Sequence, residues 1–190
     1  AGRLTMTQDS DSPDGFGNSL KLDCTTADTS IAADEMLGIQ YRVEGQDIQQ
    51  LKKGTADAES ITISFYAKQN ASRVINVALY DADNSRLICQ NVTVGTSWAR
   101  HTVTFAGDTT GAFGDDNARS LDIWFTLHAG STWTSGTLAT SWESYTAANR
   151  HAGIGSFFSS TSNTFFLTGV QMELGSVATD FEHRSYAEEL

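Results

Sequence analysis

The sequence is short of proline, cysteine and positive charge, and each shortage excludes a class of protein. Its 190 residues include one proline and two cysteines. Cys24 and Cys89 cannot build a disulfide framework, and neither has a cysteine or histidine neighbour at metal-ligand spacing, so we expect two buried thiols. Lysine and arginine total 12 against 23 aspartates and glutamates, a net charge of −11. This charge repels phosphate backbones and therefore excludes nucleic acid as a partner.

Long apolar runs are also missing. No stretch approaches the roughly 18 consecutive apolar residues of a membrane span, and the first ten residues, AGRLTMTQDS, lack the apolar core of a signal peptide. The negative charge further disfavours binding to anionic membranes. We therefore expect no membrane insertion, and we interpret the chain as a soluble domain excised from a longer protein.

Hydroxyl side chains and glycine are abundant instead. The chain has 20 serines, 23 threonines and 16 glycines, while only 18% of its residues are charged. This balance favours strands and turns over helices. With 39% hydrophobic residues, the chain is long enough for one continuous core, so residues 1–190 are predicted to form a single all-β domain.

Alternation of period two marks the predicted strands, each of which is bounded by Gly, Asn, Asp or Ser. Their number and spacing predict a sandwich or barrel of about eight to ten antiparallel strands with little helix. A short helix is expected at Asp47–Leu51, and His151–Phe158 is a weaker ninth strand. The eight main segments are Ser19–Thr25, Leu37–Glu44, Ser60–Lys68, Arg73–Asp81, Arg86–Val94, Ala99–Ala106, Ser120–His128 and Thr164–Glu173.

The 129–163 segment departs from this pattern, because it is long and rich in Ser, Thr and Gly. Compact domains seldom keep such a connection without a use. Either His151–Phe158 forms a strand within it, which we favour, or the segment is a folded surface loop whose aromatic residues pack on the sandwich. Those aromatic residues are Trp133, Trp142, Tyr145, Phe157 and Phe158.

The alternation also assigns faces to four of the strands. Residues predicted to point into the core are Ile61, Ile63, Phe65, Ala67, Ile75, Val77, Leu79, Leu121, Ile123, Phe125, Leu127, Phe166, Val170 and Met172. If the strands are neighbours in one sheet, its outer face carries three aromatic residues among polar ones. These seven candidate binding residues are Tyr66, Lys68, Asn76, Tyr80, Trp124, His128 and Gln171.

Such a mixture of side chains suits a sugar. A pyranose ring stacks its apolar C–H face on an aromatic ring, and its hydroxyls need donors and acceptors at fixed positions. The alternative is that the outward aromatic residues are covered, since the 129–163 segment is long enough to lie over them. Both interpretations remain open at the level of sequence.

Catalytic and metal-binding patterns are scarce. Glu143 with Asp122 could supply the carboxylate pair of a glycosidase, but nothing in the sequence brings them together. The four histidines show no ligand spacing, so we expect no enzyme, no cofactor and no catalytic metal. Asp9, Asp11 and Asp14 could hold a structural calcium ion near Gly15, although Asp, Ser, Pro and Gly equally form an ordinary solvated turn.

Several phrases of the sequence are similar to a domain of tail-fibre and related virion proteins of tailed bacteriophages. The similarity runs nearly end to end, and its phrases are specific only when taken together. The phrases are DSPDGFGNSLKLDCTTADTS within 9–30, EGQDIQQLKKGTADAESITISFYAK at 44–68, FAGDTTGAFGDDN at 105–117, TSGTLATSW at 134–142 and TGVQMELGSVATDFEHRSYAEEL at 168–190.

This resemblance implies a jelly-roll β-sandwich of the galactose-binding-like or carbohydrate-binding-module-like type, displayed on a virion tail. It carries no catalytic residue with it, and the chain departs from the usual ATPFEHRS by reading ATDFEHRS at 178–185. The expected function is non-catalytic binding of a cell-surface glycan or polysaccharide during host recognition, by a homotrimer in the intact virion protein. The alternatives are a structural or oligomerisation domain of a fibre and an accessory domain of a polysaccharide-degrading enzyme.

Overall fold

Two five-stranded antiparallel sheets pack face to face in the computed structural model, which describes residues 1–184. Sheet A has the strand order β1-β2-β10-β4-β7, and sheet B has the order β3-β8-β5-β6-β9. The predicted all-β sandwich is therefore confirmed. The strands are β1 (Arg3–Asp9), β2 (Ser19–Thr26), β3 (Met36–Glu44), β4 (Ile61–Gln69), β5 (Arg73–Asp81), β6 (Arg86–Val94), β7 (Ala99–Phe105), β8 (Arg119–Ala129), β9 (Glu143–Ser144) and β10 (Thr164–Leu174).

Helical structure is limited to short pieces. The predicted helix at 47–51 is confirmed as a 3-10 helix, Gly45–Leu51. One α-helical turn, α1, covers Ser131–Thr134, and two further 3-10 turns lie at Ala147–Asn149 and Phe157–Ser159. Within the described residues, no helix is long and apolar enough to cross a membrane.

All eight main strand predictions are confirmed with small shifts of their ends, whereas the ninth is wrong. Residues 151–158 form turns and the start of a 3-10 helix, because Gly153 adopts a left-handed φ of +89° and Phe157 turns into the core. Two strands, β1 and β9, were not predicted from the sequence. β1 lies at an edge and has few apolar residues, and β9 is only two residues long.

The main core lies between the sheets and contains the predicted inward residues of β4, β5 and β8. The prediction for β10 is wrong for two residues. Phe165 and Leu167 point into the core, so Phe166 between them lies on the outer face of sheet A. An irregularity between Thr168 and Gln171 then shifts the register, and Val170 is left 42% exposed.

The 129–163 segment forms a partial third layer on the outer face of sheet B. Ala139 joins a second buried cluster with Ala78, Leu87 and Cys89 of that sheet. The Cys89 amide donates to the Ala139 carbonyl at 2.7 Å, which fixes the segment along the edge of β6. Of the two alternatives, the folded loop packed on the sandwich is therefore the correct one.

Both cysteines are buried free thiols, as predicted. Burial in the second cluster raises the pKa of Cys89 to about 12. A thiol with so high a pKa carries almost no thiolate at neutral pH, so Cys89 serves packing rather than chemistry.

Candidate functional site

The seven residues predicted to bind sugar do not share one face. Because their strands divide between two sheets whose outer faces point in opposite directions, a single site cannot include them all. The assumption of one sheet was therefore wrong. Tyr66, Lys68 and Gln171 lie on sheet A, whereas Asn76, Tyr80, Trp124 and His128 lie on sheet B.

Two of the sheet B residues are completely enclosed. Asn76 is 0% exposed, and its Oδ1 lies 2.9 Å from Nδ1 of His151. His128 is 1% exposed, and its Nδ1 lies 2.9 Å from the Ser156 hydroxyl. Both partners belong to the 129–163 segment, so neither Asn76 nor His128 is available to a ligand.

The two aromatic residues of sheet B are also covered. The guanidinium of Arg150 lies 4.5 Å from the ring centre of Trp124, and the Tyr145 ring meets Tyr80 edge to face at 5.3 Å. The indole N–H of Trp124 points to Asp122 at 3.4 Å. This face therefore follows the covered-face alternative rather than the open sugar platform.

On sheet A, residues 175–184 cross part of the outer face. Gln171 donates to the Asp180 carbonyl at 3.3 Å and accepts from the Glu182 amide at 2.9 Å. The Tyr66 ring packs against Phe16 at 5.1 Å. Tyr66 and Gln171 are thus engaged within the fold.

Lys68 belongs to a separate group at the other end of this face. Its ammonium pairs with Asp11 and lies 4.7 Å from the Phe166 ring centre and 5.4 Å from that of Trp98. Trp98 donates its indole N–H to Asp11 at 2.9 Å. Hydrogen bonds from Lys68 and Trp98 lower the pKa of Asp11 below its ordinary value.

The calcium site proposed at Asp9, Asp11 and Asp14 is not formed. Asp11 is committed to Lys68, and Asp9 lies 3.4 Å from the Lys21 ammonium. Within residues 1–184, no group of three or more His, Cys, Asp or Glu side chains is placed to hold a metal ion. The turn alternative is correct, with the Phe16 amide bonded to the Pro13 carbonyl at 3.1 Å.

The carboxylate pair considered for glycoside hydrolysis is also not formed. Asp122 is in the same cross-strand row as Glu143, but β5 and β6 lie between their strands. Three strand spacings place the two backbones about 14 Å apart, beyond the 5–9.5 Å that hydrolysis requires.

A cleft of about 440 Å³ opens at the flank of the sandwich, where β6 of sheet B approaches β7 of sheet A. One wall is the loop after β7, and the other is the stretch just before β9. We call it the flank cleft. Its lining residues are Arg86, Ile88, Gln90, Thr104, Ala106, Gly107, Asp108, Thr109, Thr110, Thr140, Ser141 and Trp142.

The polar groups of the flank cleft are held in place by one another. Arg86 donates to both oxygens of Asp108 at 2.7 and 3.1 Å, and to the Trp142 carbonyl at 3.3 Å. Gln90 donates to the Thr104 carbonyl at 2.5 Å. Although burial opposes it, hydrogen bonding to Arg86 and Lys53 keeps the pKa of Asp108 below its ordinary value, so Asp108 is a carboxylate at neutral pH.

A buried lysine supports the cleft from below. The Lys53 ammonium lies 2.5 Å from Asp81 and 3.1 Å from Asp108, and donates to the carbonyls of Thr110 and Gly111 at 2.8 Å. It therefore ties the loop after β7 to the end of β5. Across the cleft, the Trp142 indole N–H donates to the Ala106 carbonyl at 2.7 Å. Both walls are thus fixed without a ligand.

Sequence reasoning missed Arg86 and Gln90. They alternate with Ile88 on β6 and so share its inward phase, where apolar residues are expected. A polar residue in that phase indicates the flank of a sandwich rather than its centre. This signal was present in the sequence and could have identified the cleft.

No protein-family model matches the chain, and no curated protein matches its sequence. Several solved structures have a similar fold at low identity. A CBM4 domain is 15% identical with a TM-score of 0.44, over 91% of this chain and 77% of that one. The family 11 carbohydrate-binding module of the Clostridium thermocellum cellulase Lic26A-Cel5E is 13% identical with a TM-score of 0.43, over 94% and 85%.

A third similar structure is the enzymatically active domain of tailspike protein 4 of bacteriophage CBA120. It is 13% identical with a TM-score of 0.48, and the match covers 92% of this chain but only 18% of that chain. These similarities are in fold, and none of them transfers a site or an activity. The all-β sandwich of this chain rests on its own two five-stranded antiparallel sheets.

Proposed function

We propose that the protein is a non-catalytic carbohydrate-binding domain and that the flank cleft holds the sugar. The observation that carries the proposal is the composition of the cleft. The half-buried indole of Trp142 stands with the Arg86 guanidinium, the Gln90 amide and several hydroxyl side chains around about 440 Å³. This volume falls within the range of about 300–1,000 Å³ that is typical of small-molecule sites.

Sugar recognition needs an aromatic surface and fixed hydrogen-bonding groups, and the cleft supplies both. Its hydrogen-bond donors are already oriented by contacts within the protein. Binding would therefore lose little side-chain conformational entropy. Among the described lining residues Asp108 is the only carboxylate, and it is occupied by Arg86 and Lys53. Hydrolysis by two carboxylates has no basis in such a site, which supports binding without turnover.

The phrases similar to phage tail-fibre proteins favour a place for this domain on a virion appendage. We propose that it recognises a polysaccharide on the host surface there, as part of a homotrimeric fibre. Isolation of the parent virion protein and measurement of its mass in solution would test the trimer.

Sugar binding in the flank cleft can be tested with a substitution that blocks its opening. Thr140 and Thr96 are both exposed, and neither side chain forms a hydrogen bond with the described residues. Thr140 lines the cleft and Thr96 does not, so Thr140→Arg and Thr96→Arg form a matched pair with the same added charge. Affinity electrophoresis through gels containing a panel of polysaccharides would report binding.

We expect at least one polysaccharide to retard the wild type and Thr96→Arg equally, and Thr140→Arg to lose that retardation. Equal retardation of all three proteins would place the sugar elsewhere. Retardation by no polysaccharide would reject carbohydrate binding itself. Release of reducing ends from the retarding polysaccharide would overturn the non-catalytic part of the proposal.

A second candidate function, subunit contact within a fibre, is favoured by an apolar groove. It opens between β3 and the second half of β10, has a volume of about 620 Å³ and is lined by residues that include Ile39, Phe125 and Met172. Tyr41 and Val170 at this groove are 68% and 42% exposed. A second copy of the chain packed here would remove both side chains from water.

Light scattering tests this alternative. A dimer or trimer of the wild type that Tyr41→Glu converts to a monomer would support subunit contact through the groove. A wild type that is monomeric at all concentrations would contradict it.

A further inference from the structure

Arg150 is buried without a partner for its charge. It is only 7% exposed, and its Nη2 has no hydrogen-bond acceptor. Within residues 1–184, its side chain makes no ion pair, and its guanidinium lies 4.5 Å from the centre of the Trp124 ring. The exposed 7% of the residue is the part in contact with solvent.

Two carboxylates in this part of the fold already have partners. Asp122 lies beside the Trp124 ring that Arg150 contacts, and Glu143, like Arg150, acts on the pKa of Cys89. Asp122 accepts hydrogen bonds from Arg119 at 2.6 Å and from Gln40 at 2.8 Å. Glu143 accepts from Asn149 at 2.8 Å. Since a buried charge without a counter-charge costs several kcal/mol, the fold leaves here a cation that an added anion would stabilise.

Two further arginines belong to the face of sheet B that carries the Trp124 ring. Arg42 lies opposite Asp122 in the pairing of β3 with β8, is exposed, and forms no ion pair with the described residues. Arg119 occupies Asp122 and lies 5.6 Å from the Tyr80 ring. This face thus carries three of the eight arginines of the chain and one fully buried carboxylate, Asp122.

We propose that Arg150 is the anion receptor of a second binding surface and that its ligand is the carboxylate of an acidic sugar. A guanidinium on an aromatic face is suited to a carboxylate beside a sugar ring, because its charge is weakly hydrated and permanent. The inference rests on the proposed carbohydrate binding and adds a second site, for an acidic glycan. It uses the opposite side of β6 from the flank cleft, so the two sites are separable.

The net charge of −11 opposes this ligand at long range. At 0.15 M salt, charges farther away than about 8 Å are largely screened, so the local arginines decide the preference for the acid, which should be modest. Trigalacturonate and its methyl ester are suitable probes, because esterification removes the charge of each carboxyl group at the cost of one added methyl group. Their affinities would be measured by isothermal titration calorimetry at 0.15 M salt.

Four proteins form the comparison: the wild type, Arg150→Met, Arg3→Met and Thr140→Arg. Arg3 is exposed on the edge strand β1, so its substitution removes the same charge elsewhere. We expect the wild type and Arg3→Met to bind the acid about tenfold more tightly than the ester, and Arg150→Met to lose this preference. Ligand-free Arg150→Met should melt no lower than the wild type, because it removes an unpaired buried charge.

Any one of four outcomes would overturn the inference. The first is equal affinity of the wild type for acid and ester. The second is a sulfate titration that raises the melting temperature as much as trigalacturonate does. The third is an Arg150→Met variant that keeps the preference for the acid, whatever its melting temperature, and the fourth concerns the flank cleft. Loss of the preference in Thr140→Arg but not in Arg150→Met would assign the acid to the flank cleft and reject the second surface.

Discussion

Nδ1 of His151 lies 2.9 Å from Oδ1 of Asn76, and this contact ties the 129–163 segment to the centre of sheet B. Both residues are 0% exposed. Nε2 of the same histidine faces the Thr126 hydroxyl at 3.4 Å, so both ring nitrogens are used inside the protein. Burial, with a smaller contribution from Arg150, lowers the pKa of His151 from 6.5 to about 3.

Acid should therefore destabilise the protein well before its carboxylates are protonated. Between pH 6.5 and about 3 the unfolded chain binds a proton at His151 that the folded chain does not, so stability falls as pH falls. Burial lowers the pKa of His101 and His128 as well, which acts in the same direction. From pH 6.5 to 5, His151 alone contributes a loss of about 2 kcal/mol. Urea unfolding across this range measures it.

The variant His151→Gln is the control for this effect, because an amide can still donate to Asn76 but does not titrate. Its unfolding free energy should vary less between pH 6.5 and 5 than that of the wild type. An unfolding free energy of the wild type that is constant over this range would contradict the assignment.

Truncation of Trp124 should lower the stability of the fold rather than weaken sugar binding. The ring carries Arg150 on its face and packs against the second buried cluster, so Trp124→Ala should cost about 3 kcal/mol, at the low end for buried aromatic residues. Tyr41→Ala, at a residue that is 68% exposed, should change stability by less than about 0.5 kcal/mol. Equal unfolding midpoints for the two variants would show that the Trp124 ring is not packed as described.

Removal of the Lys53 ammonium should destabilise the part of the fold that holds the flank cleft. Lys53→Met leaves Asp81 and Asp108 buried without their shared counter-charge, and the expected cost is about 3–5 kcal/mol. The neighbouring Lys52 pairs with Glu59 at 3.6 Å in solvent, so Lys52→Met should cost less than about 1 kcal/mol. Thermal melts of both variants give the comparison, and similar melting temperatures would refute the structural role of Lys53.

Substitutions of Trp142 and Trp133 distinguish a role in sugar binding from a role in packing of the 129–163 segment. Both indoles donate to a backbone carbonyl, at 2.7 and 3.4 Å respectively, but only Trp142 lines the flank cleft. For a polysaccharide that retards the wild type, Trp142→Phe should weaken binding at least about tenfold, the effect of losing about 1.4 kcal/mol. Trp133→Phe should leave binding unchanged, and equal losses in both variants would argue against the cleft.

Alternation in the sequence was sufficient to predict the strands and the inward faces of β4, β5 and β8. It failed at β10, because the irregularity between Thr168 and Gln171 changes which residues face the core. The alternation of apolar and polar residues along β10 cannot reveal such a shift. The shift depends on how β10 pairs with its partner strand, β4, and that pairing is not encoded in β10 alone.

The candidate site was less predictable for a different reason. Local pattern shows that Tyr66 and Trp124 point outward from their strands, but not that the strands belong to different sheets. That division follows from long-range pairing, such as β10 with β4 and β8 with β5. The coverage of Trp124 by Arg150 likewise depends on how residues 129–163 return across the sheet.

The partial third layer has a consequence for the order in which the backbone opens. Strands β5 and β8 have hydrogen-bonded neighbours on both sides, sheet A beneath them and the 129–163 segment above. Their amides should exchange with deuterium only when the whole domain unfolds, whereas those of edge strand β1 should exchange through local fraying. The segment that covers the predicted sugar platform would thus place β5 and β8 among the most slowly exchanging strands of the molecule.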